Sequence, residues 1–290
     1  MLNNRWRQRP LAVLATGLAL VVSGCDSGPE SETEPAPKKA EQKTASPEPE
    51  SDQVSIPPEL ESGTGAQPMP AFHEIPAGPQ RKEAFFSYLA PIVSDINQEV
   101  AKRRDALLAL EQQLEAGKPL DQDARDWLAR MAERYRVDAD GPEKRIAALK
   151  ARIDIIPVSL ALAQGALESA WGTSRFARQG NNIFGKWCFT RGCGIVPKRR
   201  RADATHEVAR YDDVADAVRD YIHHLNSHPV YEPLRERRAR ARREGRSPSG
   251  TELAAGLEKY SAKGKGYVTL VRQMINGNDL ADASDDPKDA

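Results

Sequence analysis

Apolar residues recur at helical spacing along most of the chain beyond residue 80, and that rhythm predicts its elements. Phe85, Phe86, Leu89, Ile92, Val93, Ile96 and Val100, continuing to Leu107, Leu108 and Leu110, mark one long amphipathic helix. Pro91 falls inside it and removes a backbone donor, so a bend is expected there. Asp121 to Tyr135 is a second helix, with Trp127, Leu128 and Met131 on one face, and Pro142 to Ile153 is a third, with Ile146, Leu149 and Ile153 inward. Pro157 suits the first turn of a fourth. That helix carries Leu160, Ala161, Leu162, Ala163, Ala166 and Leu167, and it is apolar nearly all round, as a central helix is.

The rhythm breaks between Gly172 and Arg201. Glycines at 172, 180, 185, 192 and 194 and the pair Asn181 and Asn182 predict loop and short strand. Ile195-Val196 and Glu207 to Tyr211 are expected to pair in a small lobe. Helical spacing resumes with Val214, Ala217, Val218, Tyr221, Ile222 and Leu225, capped by Asp212 or Asp213. Leu253, Leu257 and Tyr260 mark a further helix after Thr251, and Tyr267 to Ile275 closes the domain. The expected class is mainly α (α+β), a helical body with a small β element.

The N-terminal stretch obeys a different logic. Arg5, Arg7 and Arg9 precede a short apolar core, Leu11 to Val22, which ends in Val22-Ser23-Gly24-Cys25. The run is too short for an ordinary membrane span and has the layout of a secretory signal. A Cys directly after small residues resembles the lipobox of bacterial lipoproteins. By that resemblance residues 1–24 are a removed signal peptide, and Cys25 becomes an acylated first residue on the periplasmic side of a bacterial membrane. Asp26 leaves the inner and outer membrane both open.

Formal charge is zero, from 42 basic and 42 acidic residues, but the charges are segregated. Asp26 to Glu61 holds ten Asp/Glu against three Lys, with many Pro and Ser and little that is apolar. Such a composition cannot bury enough surface to offset chain entropy, so residues 25–71 are expected to be a disordered tether. Residues 72–150 are expected to form a helical preamble to a main body at 151–279, and 280–290 an acidic tail. Two basic runs, Lys198 to Arg201 and Arg235 to Arg246, invite a nucleic-acid reading. Export argues against it, and a solvated helix face is the expected role.

Three Cys are present. With Cys25 acylated, Cys188 and Cys193 remain as a close pair, which in an oxidising compartment points to a disulfide. A metal site would need a second pair or a nearby His cluster. His223, His224 and His228 do not have that spacing, and neither metal nor cofactor is expected.

Candidate chemistry gathers in Gln164 to Lys186. Glu168 is one carboxylate on an otherwise apolar helical run, followed by Trp171 and a Gly/Asn-rich loop. Charged groups are rarely buried unless paired or functional. Glu168 is therefore either a general acid or a helix-end carboxylate paired with Arg175 or Lys186. Trp171, Phe184, Trp187 and Tyr260 are candidate aromatic platforms for a flat ligand face, and Asn181 and Asn182 are candidate polar contacts beside them.

The string Leu167-Glu168-Ser169-Ala170-Trp171-Gly172-Thr173-Ser174-Arg175-Phe176-Ala177, followed by Asn181-Asn182-Ile183-Phe184-Gly185, resembles the active-site segment of bacterial peptidoglycan N-acetylglucosaminidases. Tyr221 to Tyr231 resembles the Bax-type branch of that family. Leu257-Glu258-Lys259-Tyr260-Ser261, then Gly266-Tyr267, resembles its tyrosine motif. The resemblance implies a lysozyme-like fold, a glycoside hydrolase acting on peptidoglycan strands beside N-acetylglucosamine, and Glu168 as its acid. It implies Trp171, Asn182, Phe184 and Tyr260 as substrate contacts. Glycosidases commonly use a second carboxylate. Glu207 is the candidate, with Asp203, Asp212 and Asp213 as competitors, and assistance from the sugar acetamido group is the other route. A lytic transglycosylase and a non-catalytic glycan-binding lipoprotein are the alternatives.

Overall fold

The computed structural model describes residues 54–57, 67–201 and 203–282. The signal segment, Cys25, most of the expected tether and the last eight residues lie outside the described residues. Helix α1 spans Pro79–Glu115, α2 Gln122–Arg134, α3 Pro142–Arg152, α4 Val158–Ser169 and α5 Arg175–Gly180. Three short strands follow: β1 Trp187–Cys188, β2 Gly194–Ile195 and β3 Glu207–Ala209. Then come α6 Val214–Ser227, α7 Glu232–Arg243, α8 Gly250–Leu253 and α9 Lys265–Asn276, with 3-10 turns at Pro229–Tyr231, Ala254–Gly256 and Leu280–Asp282. The class is mainly α with a small β element, as expected.

Helix α4 is the axis of the body. Every residue from Val158 to Ala166 is buried, because its Leu and Ala side chains meet α1 on one side and α9 on another. Helix α1 runs unbroken through Pro91 and presents Phe85, Leu89, Val93, Ile96 and Val100 to the core. The preamble and the body share one continuous hydrophobic core, so residues 72–150 are not a separate layer. Within the span expected as a tether, Val54, Ile56 and Met69 pack against this core. At the other end Leu280 is buried and belongs to the fold, not to the tail.

The sheet has the order β1-β3-β2, both pairs antiparallel, with Trp187 opposite Val208 and Ile195 opposite Val208 on the other side. Strand β1 joins the expected pair at its free edge. Cys188 and Cys193 are bonded, closing the β1–β2 loop. Asp213 caps α6, accepting from the Asp216 amide at 2.9 Å. The cap of α8 is Ser249, two residues before the expected Thr251, and accepts from the Glu252 amide.

The basic run on α7 is only partly a solvated face. Arg238 is 1% exposed. Its guanidinium donates to the Asp154 and Ile155 carbonyls at 3.0 and 2.9 Å and to Asn226 Oδ1 at 2.6 Å. Arg235 is buried too, donating to the carbonyls of Leu225 and His228. The α3–α4 connection leaves carbonyls turned inward, and arginine supplies the donors they need.

Candidate active site

Glu168 stands at the last turn of α4, where the helix must stop. Ala170, Trp171 and Gly172 all take left-handed backbone, with φ of 51°, 60° and 74°. The first two are not glycine, so this turn is strained, and it is held by closed hydrogen bonds. Ser169 Oγ donates to the Gly165 carbonyl at 2.6 Å and accepts from the Gly172 amide at 2.7 Å. The Trp171 amide reaches back to the Ala166 carbonyl. A Cβ on Gly172 would come within 2.4 Å of Phe72 Cδ2, so the turn sits directly on the aromatic cluster at the start of the body.

The Glu168 carboxyl is half-buried and its two oxygens differ. Oε1 accepts from the Tyr267 hydroxyl at 2.7 Å. That hydroxyl accepts from Gln164 Nε2 at 3.0 Å, and Gln164 Oε1 accepts from the Tyr221 hydroxyl at 2.8 Å. The result is a relay, Tyr221 to Gln164 to Tyr267 to Glu168, in which every hydrogen points toward the carboxyl. Oε2 faces Gly185, where a Cβ would lie 3.7 Å away. Gly185 is exposed, so this side borders solvent.

Burial holds the Glu168 carboxyl above the usual glutamate range, against the opposing pull of the Tyr267 hydroxyl and the Lys263 ammonium. Neither basic residue proposed as a simple ion-pair partner is engaged with it. Arg175 donates to the Val196 carbonyl, and Lys186 lies 3.8 Å from Asp220. Four tyrosines surround the carboxyl electrostatically: Tyr221, Tyr231, Tyr260 and Tyr267 each have the hydroxyl proton held more tightly, burial first and the Glu168 charge adding to it.

The other expected site residues are placed as follows. Asn182 is buried with its amide fully used: Nδ2 donates to the Lys186 and Ala209 carbonyls and Oδ1 accepts from the Lys186 amide. It fastens the Gly-rich loop to β3. Asn181 caps α5 and donates to the Tyr211 and Asp212 carbonyls. Phe184 is buried, its ring stacked on Tyr221 at 3.9 Å, and its carbonyl accepts from the Tyr260 hydroxyl at 3.1 Å. Tyr260 is half-buried and stacks on Tyr267 at 5.3 Å, so it joins the Glu168 cluster. Trp171 packs edge-on against Phe85 and Phe86 of α1. Trp187 is 58% exposed on the small lobe, stacked on His206.

Glu207 is 5% exposed on β3. Its oxygens accept from the Gly192 and Gly194 amides at 3.1 and 2.9 Å, and these bonds lower its affinity for a proton. Its contacts are those of an anchor for the disulfide-closed loop. The sequence reading left out Gln164, although its signal was visible: a lone amide on an apolar helix, one turn before the lone carboxylate. Tyr267 carries no signal in sequence beyond its place after Gly266 in the tyrosine motif.

The class of the protein follows from its likeness to known proteins. The chain belongs to the glucosaminidase family, an enzyme class of the endo-β-N-acetylglucosaminidase type: the family model described as mannosyl-glycoprotein endo-beta-N-acetylglucosaminidase matches residues 143–280. It is 31% identical over 212 residues to Protein bax of Escherichia coli (strain K12), covering 72% of this chain and 74% of that one. No solved structure matches it.

Proposed function

We propose that this chain is a lipid-anchored peptidoglycan hydrolase that cuts the glycan strand beside N-acetylglucosamine, with Glu168 as the general acid. The observation that carries the reading is the asymmetry of the Glu168 carboxyl. Oε1 is committed to Tyr267, which leaves Oε2, on the side that borders solvent at Gly185, as the oxygen to carry a transferable proton. Burial keeps that proton in place above the usual glutamate range. A glycosidic oxygen at Oε2 takes the proton as its bond to C1 breaks, and the Tyr267 hydroxyl steadies the carboxylate left behind. Water supplies the new hydroxyl.

Glu207 has both oxygens engaged by amides. This favours a route in which the substrate's own acetamido oxygen attacks C1 and water then opens the cyclic intermediate. The test is digestion of purified peptidoglycan with product masses read directly. Reducing N-acetylglucosamine ends are expected, at a rate at least a hundredfold lower for Glu168→Gln, on the order of a general acid's contribution. Anhydro ends would assign a transglycosylase instead, and digestion by Glu168→Gln at the parent rate would move the acid elsewhere.

Anchoring is supported by the basic n-region, the short apolar core and Cys25 after small residues. The full chain is expected in the membrane fraction and labelled by a fatty-acid analogue, and Cys25→Ser is expected in the soluble periplasmic fraction. Unaltered labelling of Cys25→Ser would refute the anchor.

A further inference from the structure

Next to the Glu168 cluster, on the far side of Lys186, lies a polar pocket of about 340 Å³ lined by Arg134, Arg210, Tyr211, Asp212, Asp216, Arg219, Asp220 and His223. Its walls are fixed. The Tyr211 and Asp212 carbonyls accept from Asn181, the Tyr211 hydroxyl donates to Asp220 at 2.6 Å, and Arg219 bridges Asp216 and Glu99. Its rim carries solvent-facing charges of both signs. The side chains of Arg210 and Asp212 are exposed and make no hydrogen bond or ion pair among the described residues. His223 forms part of the wall, its ring packed edge-on against Tyr135.

The pocket is linked to the chemistry by one residue. Gly185 faces Glu168 Oε2, and Lys186, its neighbour, extends to 3.8 Å from Asp220 in the pocket wall. One Cα step and one lysine side chain join the two sites, a path that a few extended peptide residues, at about 3.3–3.6 Å each, can follow.

Resting on the hydrolase reading above, we propose that this pocket binds the stem peptide of the strand being cut. The free ammonium and carboxylate groups of the peptide's diamino residue or C-terminus would meet Asp212 and Arg210. The substrate fits the charges: glycan is neutral at its sugar hydroxyls, whereas a stem peptide presents both signs close together. Paired charge-assisted contacts of this kind select for the arrangement of charges, not merely for net charge. The enzyme would then prefer peptide-bearing strands over bare glycan.

The experiment compares the full chain on peptidoglycan with intact stem peptides and on glycan stripped of them by an amidase, with the lactyl carboxylates this frees capped as simple amides, using the parent, Arg210→Glu and Asp212→Asn. The parent is expected to show a KM roughly three- to tenfold lower for peptide-bearing strands, in the range of one or two exposed charge pairs. Arg210→Glu should abolish that difference while leaving kcat on bare glycan and the melting temperature unchanged. Equal KM values in the parent, or a preference untouched in both variants, would overturn the pocket and leave the hydrolase standing. If the parent cuts neither strand, the hydrolase reading itself falls. Calorimetric titration of a free stem tetrapeptide then judges the pocket alone, because absence of Arg210-dependent binding overturns it whatever the activity.

Discussion

Glu168 is subject to opposing influences, and the balance decides its chemistry. Burial raises its proton affinity; the Tyr267 hydroxyl and Lys263 lower it. A glutamate raised in the folded chain stays protonated above its ordinary value of 4.5, so acid catalysis is lost only as pH rises through the raised value. Stability runs the same way, falling as pH rises between the unfolded and folded values, because the unfolded chain releases the proton first. Tyr267→Phe removes a hydrogen bond that favours the charged form. The descending limb of the kcat/KM profile should therefore move to higher pH, while the maximum falls about tenfold through looser positioning. A limb that moves to lower pH would contradict this account of Tyr267. Glu168 was legible in the sequence as one charge on an apolar helix. Its partners were less so, because Gln164 and Tyr267 lie 103 residues apart and Tyr267 and Glu168 lie 99 apart. Asn182 and Phe184 were legible as members of the site segment, but whether they face ligand or loop depends on what the fold packs behind them.

At the scale of elements, the end of α4 carries the most information. Three successive left-handed residues turn the chain sharply after Glu168, and only one of them is glycine. Gly172 is needed twice over: its φ is +74°, and a Cβ would strike Phe72. Gly172→Ala should destabilise the protein by about 1–3 kcal/mol and lower activity, since Glu168 is only four residues away. A melting curve and a digestion rate both equal to the parent's would show that the turn can relax. Helical stripes were readable from spacing because amphipathic periodicity is a local property. The two-residue strand β1 was not, since it has no room for alternation and exists through its partner β3 and the Cys188–Cys193 bond. The α8 cap moved to Ser249 for a similar reason: Ser249 and Thr251 are both good caps in sequence, and packing chooses where the helix begins.

For the whole molecule, the joint between preamble and body depends on buried charge. Asp154 is surrounded by Arg104, Arg238 and Arg242; burial alone would raise its carboxyl, but these arginines hold it below the usual aspartate range. Breaking such a group by removing one member leaves uncompensated charge and carbonyls without donors. Arg238→Met should cost about 3–5 kcal/mol, lowering the melting temperature by on the order of 10 °C. A variant that melts with the parent would mean that water replaces the guanidinium. By itself the sequence determined the helical class, the family and the disulfide partners, since each is written in local spacing or in a contiguous motif. Only the tertiary structure decided which polar residues turn inward. Arg238, Asn182 and Glu207 each look like solvent or ligand groups in the chain, yet all three are buried and bonded to backbone. The physical reason is that an unsatisfied backbone group arises only when distant segments meet, and the side chain that satisfies it carries no mark of that meeting in its local sequence.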